Sequence, residues 1–326
     1  MKITVVGAGA WGTALALLLQ RHGQPVTLWG HDAPRLEEMR RRGENQQYLP
    51  GIPLPRELQF EPDLTTAVRH ATTVILAIPS TAFRPLTQAL QHFSGTVVTV
   101  TKGIEHQTGL TMGGILAETA PQAKIAALSG PSLAFEVARG IPTAIVAASA
   151  DPAVAREVQT LFHRPAFRVY TSMDLLGVEL GGALKNVIAI AAGVGDGLGF
   201  GDNSKAALIT RGITEMQHLG VAQGARTETF AGLSGIGDLM ATCFSRLSRN
   251  RGFGERLGRG ELADAILAST RSVVEGVPTA RSAFALARKL QVSTPIIDEV
   301  YAMLYEAKNV RSAVQALTAR ESRAEA

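Results

Sequence analysis

One short segment near the N-terminus constrains the fold more than any other: Gly7-Ala8-Gly9-Ala10-Trp11-Gly12. It matches the pattern G-x-G-x-x-G, directly follows the apolar, β-branched run Ile3–Val6, and opens an apolar helical stretch. In this context the first glycine permits a tight turn, the second lets a diphosphate approach the backbone, and the third lets helix and strand pack closely. The helix N-terminus then offers free N–H groups to phosphates. The segment predicts a dinucleotide-binding βαβ unit; the alternative is a glycine turn without a ligand.

Apolar runs alternate with helical patterns through the first half of the chain. The runs occupy residues 3–6, 26–29, 73–78, 97–101, 125–128 and 144–147, and helical stretches occupy residues 12–22, 35–42, 83–91 and 153–162. Strands that are apolar throughout must be covered on both faces, so the alternation predicts a doubly wound parallel sheet in an α/β domain.

The pattern changes near residue 171. The chain beyond it is dominated by helical patterns, beginning with a long apolar helix predicted over residues 173–192 and a following series of glycines up to Gly201. We therefore expect two domains: an α/β domain of residues 1–172 and an all-helical domain of residues 173–326.

The composition excludes several classes of protein. Hydrophobic residues make up 46% and charged residues 18%, which is typical of a globular chain with a sizeable core. The formal net charge is +4 with scattered lysines and arginines, so we expect a small anionic substrate and no nucleic acid partner. The N-terminus lacks the apolar segment of a signal peptide, and no uninterrupted apolar stretch reaches the roughly 18 residues that span a membrane. We expect a cytoplasmic protein without a membrane partner.

The strand after the glycine segment bears on the choice between NAD and NADP. In NAD-binding proteins this strand usually leads to an acidic residue that binds the ribose 2′-hydroxyl. Here residues 26–29 are followed by Gly30 and His31, and Asp32 comes slightly late. His31 or Arg35 could contact a 2′-phosphate. The segment therefore favours NADP, with NAD as the alternative.

A lysine offers the clearest chemistry. The histidines form no cluster with metal-ligand spacing, and no G-x-S-x-G nucleophile motif is present, so we expect neither a metal site nor a serine hydrolase. Lys185 lies in a strongly apolar helical stretch, residues 182–190. Burial lowers the pKa of a lysine towards neutrality, which suits proton exchange with an alcohol or ketone oxygen. The alternatives are a snorkelling lysine and an ion pair with Glu179 or Asp238.

Further polar residues follow two neighbouring strands. Lys102 comes after the run 97–101, and the turn Ser129-Gly130-Pro131-Ser132 comes after the run 125–128. Because the carboxyl ends of parallel strands face the ligand crevice, both are expected to meet a substrate there. The alternative for Lys102 is an ordinary surface lysine.

Two helical segments complete the candidate site. Asp238 and Thr242 are four residues apart and so share one face of a helix. Ser248-Arg249-Asn250 leads into a predicted helix, where free N–H groups and a guanidinium would suit a phosphate. The alternative for this segment is an ordinary helix cap.

Together these motifs resemble those of the bacterial NAD(P)-dependent glycerol-3-phosphate dehydrogenases. The matching segments, in order along nearly the whole chain, are GAGAWGT (7–13), VTLWGHD (26–32), VTKGIE (100–105), LSGPS (128–132), ELGGALKNVIAIAA (179–192), GDNSKAALITRGITEM (201–216), GLSGIGDLMATCFS (232–245), SRNRG (248–252) and VVEG (273–276). The segments around Lys185 and Asp238 are far more specific than the glycine pattern. The resemblance implies a Rossmann-type domain followed by a helical domain like that of 6-phosphogluconate dehydrogenase, usually in a homodimer.

The resemblance also implies a reaction, the reversible reduction of dihydroxyacetone phosphate to sn-glycerol 3-phosphate with NAD(P)H, which feeds glycerophospholipid synthesis. It implies that Lys185 is the general acid/base, that Asp238 orients it and that Asn186 helps place the substrate. With the motif analysis, it gives as substrate contacts Lys102, Gly130, Ser132, Lys185, Asp238, Thr242, Ser248, Arg249 and Asn250. The expected cofactor contacts are Gly7, Gly9, Ala10, Trp11, Gly12, His31, Lys102, Ala134, Arg249, Val273 and Glu275.

Two other functions remain open on the sequence. One is a dehydrogenase of the same plan that acts on a carboxylate, such as a β-hydroxy acid or a ketopantoate-like acid; it would not need the phosphate site at Ser248-Arg249-Asn250. The other is a redox sensor that binds the dinucleotide without turnover, and it would need neither Lys185 nor Asp238.

Overall fold

The computed structural model describes residues 2–270 and 272–319. Within them, eight strands form one sheet: β1 Ile3–Val6, β2 Val26–Trp29, β3 Gln59–Glu61, β4 Thr73–Leu76, β5 Thr96–Thr99, β6 Lys124–Ser129, β7 Thr143–Ala148 and β8 Phe167–Ser172. Their order across the sheet is β3-β2-β1-β4-β5-β6-β7-β8. The first six strands are parallel in the order typical of dinucleotide-binding folds.

Helices cover both faces of this sheet. They are α1 Ala10–Gln20, α2 Ala33–Arg42, α3 Leu64–Val68, α4 Phe83–Thr87, α5 Met112–Thr119, α6 Ala134–Ala138 and α7 Pro152–Phe162, with short 3-10 turns at Ser80–Ala82 and Gln88–Leu90. Successive strand residues enter different hydrophobic clusters: Val5 and Ile75 pack with α1, α2 and α7, whereas Val6 and Leu76 pack with α3, α4 and α5. The predicted doubly wound α/β fold is confirmed.

Strands β7 and β8 extend the sheet in a way the sequence did not predict. β7 is antiparallel to β6, and β8 is parallel to β7. Neither β3 nor β8 was predicted, because each lies at an edge and carries polar residues. In β8, Phe167 and Val169 are buried while Arg168 and Tyr170 are exposed, so the strand lacks the continuous apolar run used to find the others.

The rest of the described chain is helical, as predicted. Its elements are α8 Leu175–Gly197, α9 Asp202–Ala222, α10 Thr227–Phe230, a π-helical turn Leu233–Gly237, α11 Asp238–Phe244, α12 Arg249–Gly258, α13 Ala263–Ser269, α14 Gly276–Leu290, α15 Pro295–Tyr305 and α16 Val310–Thr318. β8 ends at Ser172, and Asp174 caps α8 by accepting a hydrogen bond from the Gly177 backbone N–H at 2.9 Å. The division into domains of residues 1–172 and 173–326 stays a prediction.

Helix α8 is the core of this helical part. By length and average hydropathy it could cross a membrane, although Glu179 and Lys185 interrupt its apolar sequence. However, 83% of its most apolar window is buried inside the protein. The helix therefore owes its apolar composition to the other helices that surround it.

Helices α8 and α12 approach so closely that glycines are required on both. A Cβ atom added at Gly193 would lie 2.0 Å from the Arg251 carbonyl oxygen, and one added at Gly254 would lie 2.0 Å from the Ile190 carbonyl oxygen. Gly197 and Gly258, one turn further along each helix, are equally confined. The prediction that α8 ends at residue 192 was wrong, because this contact outweighs the low helix propensity of glycine.

The glycine contact leads to a prediction about stability. Gly254→Ala should lower the free energy of unfolding by about 1–3 kcal/mol, because the added methyl group forces α12 away from α8. Gly252→Ala is the matched control in the same helix, since a Cβ there meets nothing within 4 Å. It should leave stability unchanged or raise it by about 0.4–1 kcal/mol. Equal melting temperatures for the two variants in differential scanning calorimetry would contradict this account.

Candidate active site

The glycine turn after β1 forms an open cradle at the start of α1. Gly7 has φ +122°, and a Cβ there would lie 2.3 Å from the Ala77 carbonyl oxygen. A Cβ at Gly12 would lie 1.9 Å from the Gly7 carbonyl oxygen, whereas one at Gly9 would meet nothing within 4 Å. Gly7 and Gly12 are thus required by the turn itself, and the space beside Gly9 is free. The N-terminus of α1, which begins at Ala10, opens into that space and suits a diphosphate.

The end of β2 places three polar side chains beside this cradle. His31 is exposed, and Asp32 caps α2 by accepting a hydrogen bond from the Arg35 backbone N–H at 3.1 Å. The Arg35 guanidinium lies 4.9 Å from the centre of the Tyr48 ring, and its Nε has no hydrogen-bond partner among the described residues. Asp32 therefore has a structural role as a cap, and Arg35 forms no ion pair within the described chain.

Lys185 forms a buried cluster with Asp238 and Thr242. The Lys185 Nζ lies 2.9 Å from Asp238 Oδ1 and donates a hydrogen bond to Thr242 Oγ1 at 2.6 Å. The Thr242 hydroxyl in turn donates to the Asp238 backbone carbonyl at 2.6 Å, as expected for residues four apart on a helix. All three residues are buried. Of the two acidic residues that the sequence offered as partners for Lys185, Asp238 is the one it contacts.

Lys102 reaches the same carboxylate from the α/β part of the chain. Its Nζ lies 2.6 Å from Asp238 Oδ2 and donates to the Gly130 carbonyl oxygen at 3.2 Å. Gly130 has φ +137°, a conformation that favours glycine, and the Ser132 hydroxyl also donates to its carbonyl, at 2.8 Å. The turn after β6 therefore holds Lys102, and the two lysines approach Asp238 from opposite sides.

Burial and the neighbouring charges set the protonation of this cluster. The pKa of Lys185 is lowered to about 8, chiefly because burial disfavours the ammonium form; Asp238 opposes this shift and Lys102 adds to it. Burial by itself raises the pKa of Asp238, but the Lys102 and Lys185 ammonium groups outweigh burial and hold that pKa below its ordinary value. Asp238 thus remains a carboxylate, while Lys185 can gain or lose a proton near neutral pH.

The start of α12 forms the other side of the site. The Asn250 side chain donates to Asn186 Oδ1 at 2.9 Å and accepts from the Gly276 backbone N–H at 2.9 Å, so it joins α8 to α14. Ser248 caps α12 by accepting from the Arg251 backbone N–H at 3.2 Å. Arg249 is exposed and makes no hydrogen bond or ion pair with any other described residue. Partial burial lowers the pKa of its guanidinium, and the Glu275 carboxylate acts against that shift. Because no hydrogen bond occupies the guanidinium N–H groups, they can bind an anion.

The segment before α14 turns back to the α/β part. Glu275 accepts hydrogen bonds from the Ser80 backbone N–H at 3.1 Å and from the Ser80 hydroxyl at 2.5 Å. Burial raises the pKa of Glu275 although these donors act against the shift. Val273 nearby is 40% exposed, and Ala134 begins α6 at the end of the turn after β6.

The structure brings together most of the residues that the sequence indicated as catalytic or substrate-binding. Lys102, Gly130, Lys185, Asp238 and Thr242 form one cluster. Asn186 of α8, which is next to Lys185 in sequence, forms a second pair with Asn250 of α12. His31 lies apart from both, at the end of β2.

Two residues were missed. Ser80 follows β4 in the way that Lys102 follows β5, and this position after a strand was the signal that could have identified it. Tyr48, which stacks with Arg35, lies in a loop without any such signal.

Other reactive groups do not add to this site. Burial raises the pKa of the Cys243 thiol to about 12, so this cysteine is a packed side chain and a poor nucleophile. Among the described residues, no group of three or more His, Cys, Asp and Glu side chains could hold a metal ion. The titratable chemistry of the crevice therefore lies with Lys185 and its partners.

The α/β part thus carries a glycine turn suited to a dinucleotide, and the helical part carries a buried lysine that is joined through Asp238 to Lys102 of the α/β part. This arrangement defines a nicotinamide-dependent dehydrogenase of the two-part Rossmann type. Models of the N-terminal and C-terminal parts of the NAD-dependent glycerol-3-phosphate dehydrogenases match residues 2–155 and 174–315. The chain belongs to the NAD-dependent glycerol-3-phosphate dehydrogenase family.

Individual relatives agree with this assignment. Glycerol-3-phosphate dehydrogenases [NAD(P)+] of Citrifermentans bemidjiense and Geobacter sulfurreducens are both 50% identical to the chain, and each match covers 99% of this chain and 98% of the relative. The crystal structure of glycerol-3-phosphate dehydrogenase from Coxiella burnetii is 38% identical, with a TM-score of 0.94 over 98% of this chain and 99% of that one. The predicted family, the enzyme class and the use of a nicotinamide cofactor are confirmed.

Proposed function

We propose that the protein carries out the reaction of its family, the reversible reduction of dihydroxyacetone phosphate to sn-glycerol 3-phosphate, with Lys185 as general acid and base. The observation that carries the proposal is the buried Lys185 ammonium, which is held between Asp238 and Thr242 and is joined through Asp238 to Lys102 of the α/β part. When bound, the nicotinamide supplies the hydride. The protein must stabilise the oxygen that becomes an alkoxide and then give it a proton.

The charges of the cluster suit both tasks. Two ammonium groups share the single Asp238 carboxylate, so one positive charge remains in a water-poor site. Such a preorganised charge stabilises a developing oxyanion far better than it would in water. The Lys185 N–H can then donate its proton to that oxygen. After Lys185 has given up this proton, the Lys102 ammonium keeps its ion pair with Asp238.

The free guanidinium at the start of α12 supports a phosphorylated substrate. Arg249 makes no hydrogen bond or ion pair with a described residue, although the Glu275 carboxylate attracts it electrostatically. It lies in the first turn of α12, beside the Ser248 cap. A guanidinium and free backbone N–H groups together bind phosphate oxygens well. Binding energy at this remote group would hold the reacting carbonyl near Lys185. A carboxylate substrate, the alternative considered above, would not use this arrangement.

The first test is the absorbance at 340 nm of the purified protein with dihydroxyacetone phosphate and NADPH or NADH. Lys185→Met should retain the fold and the dinucleotide affinity but lose about 10²–10⁴-fold in kcat, because the acid is absent while the side-chain length is kept. In the wild type, ketone reduction requires protonated Lys185, so kcat/KM should be level below pH 8 and fall above it; oxidation of glycerol 3-phosphate should show the opposite trend. A near-normal kcat for Lys185→Met would remove this residue from the mechanism.

Arg249→Ala should raise the KM for dihydroxyacetone phosphate by about 10- to 100-fold, which corresponds to the loss of one charged hydrogen bond. Arg246→Ala is the matched control, since Arg246 is also exposed but precedes the Ser248 cap. The measurement is the KM of each variant at saturating dinucleotide. An unchanged KM for Arg249→Ala, or turnover on carboxylates instead, would favour the carboxylate dehydrogenase.

We also propose that NADP is preferred over NAD, because Asp32 serves as a helix cap and the Arg35 guanidinium, which donates one hydrogen bond to the Tyr48 hydroxyl, forms no ion pair with a described residue. Arg35→Ala should raise the KM for NADPH at least about tenfold and change the KM for NADH little. Arg41→Ala, an exposed arginine in the same helix, is the control. A wild-type preference for NADH would overturn this assignment and would indicate that Asp32 contacts the ribose 2′-hydroxyl.

Other features of the proposal rest on the family resemblance and on the composition. They are a homodimer, a cytoplasmic location, a contribution to glycerophospholipid synthesis, the absence of nucleic acid and membrane partners, and the division into domains of residues 1–172 and 173–326.

A further inference from the structure

Glu179 is a buried carboxylate that the proposed chemistry does not use. It lies in the second turn of α8 and is 7% exposed. Its Oε2 accepts a hydrogen bond from the Thr111 hydroxyl at 2.8 Å, and its Oε1 accepts one from the Gly113 backbone N–H at 2.7 Å. Both donors belong to the α/β part of the chain. Glu179 therefore joins the two parts at a point away from the Asp238 cluster.

The carboxylate takes the place of a local helix cap. Helix α5 begins at Met112, and Thr111 occupies the cap position, but the Thr111 side chain makes no capping hydrogen bond. Glu179 instead satisfies an N–H group of the first turn, where a negative charge is also favoured by the helix dipole. A Cβ at Gly113 would lie 2.7 Å from Glu179 Oε2, so this approach depends on the glycine.

A buried carboxylate specifies a position more narrowly than an apolar contact. Burial raises the pKa of Glu179 to about 7, although the two donors act against the shift. A buried carboxyl group without partners is costly, so both oxygens must stay within hydrogen-bond distance of α5. An apolar side chain in the same place would tolerate sliding between the surfaces, whereas Glu179 does not.

The stretch of α8 between Glu179 and Lys185 packs closely against its surroundings through two glycines. A Cβ at Gly181 would lie 2.6 Å from the Ser234 carbonyl oxygen, in the turn that leads to Asp238. A Cβ at Gly182 would lie 2.6 Å from the Ser129 hydroxyl oxygen, at the end of β6. Six helical residues rise only about 9 Å, so a shift of α8 at Glu179 is transmitted directly to Lys185.

We propose that Glu179 is a positioning residue for the reaction: by capping α5 it fixes the register between α8 and the α/β part in which Lys185 and Lys102 reach the two oxygens of Asp238. The inference rests on the function proposed for Lys185. Misplacement of a catalytic group by about 1 Å can cost up to about 100-fold in rate, so the effect on turnover should exceed the effect on binding.

The chain offers a matched control in Glu215. This residue is 6% exposed and accepts hydrogen bonds from the backbone N–H groups of Ile296 at 2.7 Å and Ile297 at 3.2 Å, at the start of α15. It is thus an equally buried carboxylate that caps a helix, but both of its helices lie in the helical part. Loss of Glu215 should lower stability without changing the register between the two parts.

The experiment compares Glu179→Ala, Glu179→Gln and Glu215→Ala in the full-length protein. For Glu179→Ala, kcat with dihydroxyacetone phosphate should fall about 10- to 100-fold, while the KM for the dinucleotide changes less than about threefold. Glu179→Gln keeps the size and one acceptor oxygen and should restore most of the turnover. Glu215→Ala should lower the melting temperature but keep kcat. A normal kcat for Glu179→Ala, or an equal fall for Glu215→Ala, would overturn the proposal.

A second measurement separates this inference from the proposed function. Acetylation of Lys185 by acetic anhydride, followed by mass spectrometry, reports the exposure of its amine without any substrate. Labelling should be several-fold faster in Glu179→Ala than in the wild type and unchanged in Glu215→Ala. Faster labelling in a protein that does not reduce dihydroxyacetone phosphate would support the positioning role and reject the substrate. Unchanged labelling would reject the positioning role, whatever the substrate.

A further variant serves if Glu179→Ala does not fold. Thr111→Val removes one of the two hydrogen bonds to Glu179 and keeps the volume of the side chain. It should cause a smaller fall in kcat together with faster labelling of Lys185. Wild-type values for both would overturn the proposal.

Discussion

The two parts of the chain depend on one buried carboxylate, Asp238, which carries an ammonium group on each of its oxygens. Lys102 comes from the loop after β5 and Lys185 from the middle of α8, so the interaction exists only when the sheet and the helical part are correctly placed. Removing one member of a buried ion pair typically costs about 3–5 kcal/mol, because the remaining charge is left without a partner. The same contact therefore contributes to the joining of the two parts and to the protonation of Lys185.

Close backbone contacts make this arrangement possible. Helix α8 meets β6 and the turn before α11 through Gly181 and Gly182, and it meets α12 through Gly193 and Gly197. A Cβ atom at Gly181, Gly193 or Gly197 would collide with a backbone carbonyl oxygen, so larger residues there would force the elements apart. Consequently the close contacts fix α8 against its neighbours on both sides of Lys185 and Asn186. These two residues therefore keep constant positions along the helix axis.

The sequence predicts the local parts of this structure well and the long-range parts poorly. The glycine turn is readable because its chemistry lies within six residues, and Lys185 is conspicuous because its neighbours are apolar. Edge strands such as β8 were missed because half of their side chains face solvent. The contacts Ser80–Glu275 and Thr111–Glu179 join residues that are 195 and 68 positions apart. No local sequence pattern predicts such contacts. The expected roles of Val273 and Glu275 came from the family resemblance alone.

The unequal burial of the charged groups has a consequence for the effect of salt. The Asp238 cluster is almost fully enclosed, and ions in solution screen such pairs only weakly. Arg249 is exposed, so its attraction for any bound anion falls as the ionic strength rises. Salt therefore weakens the binding of an anionic ligand and leaves the pKa of Lys185 nearly constant. Ionic strength thus acts on ligand binding at Arg249, whereas pH acts on the protonation of Lys185.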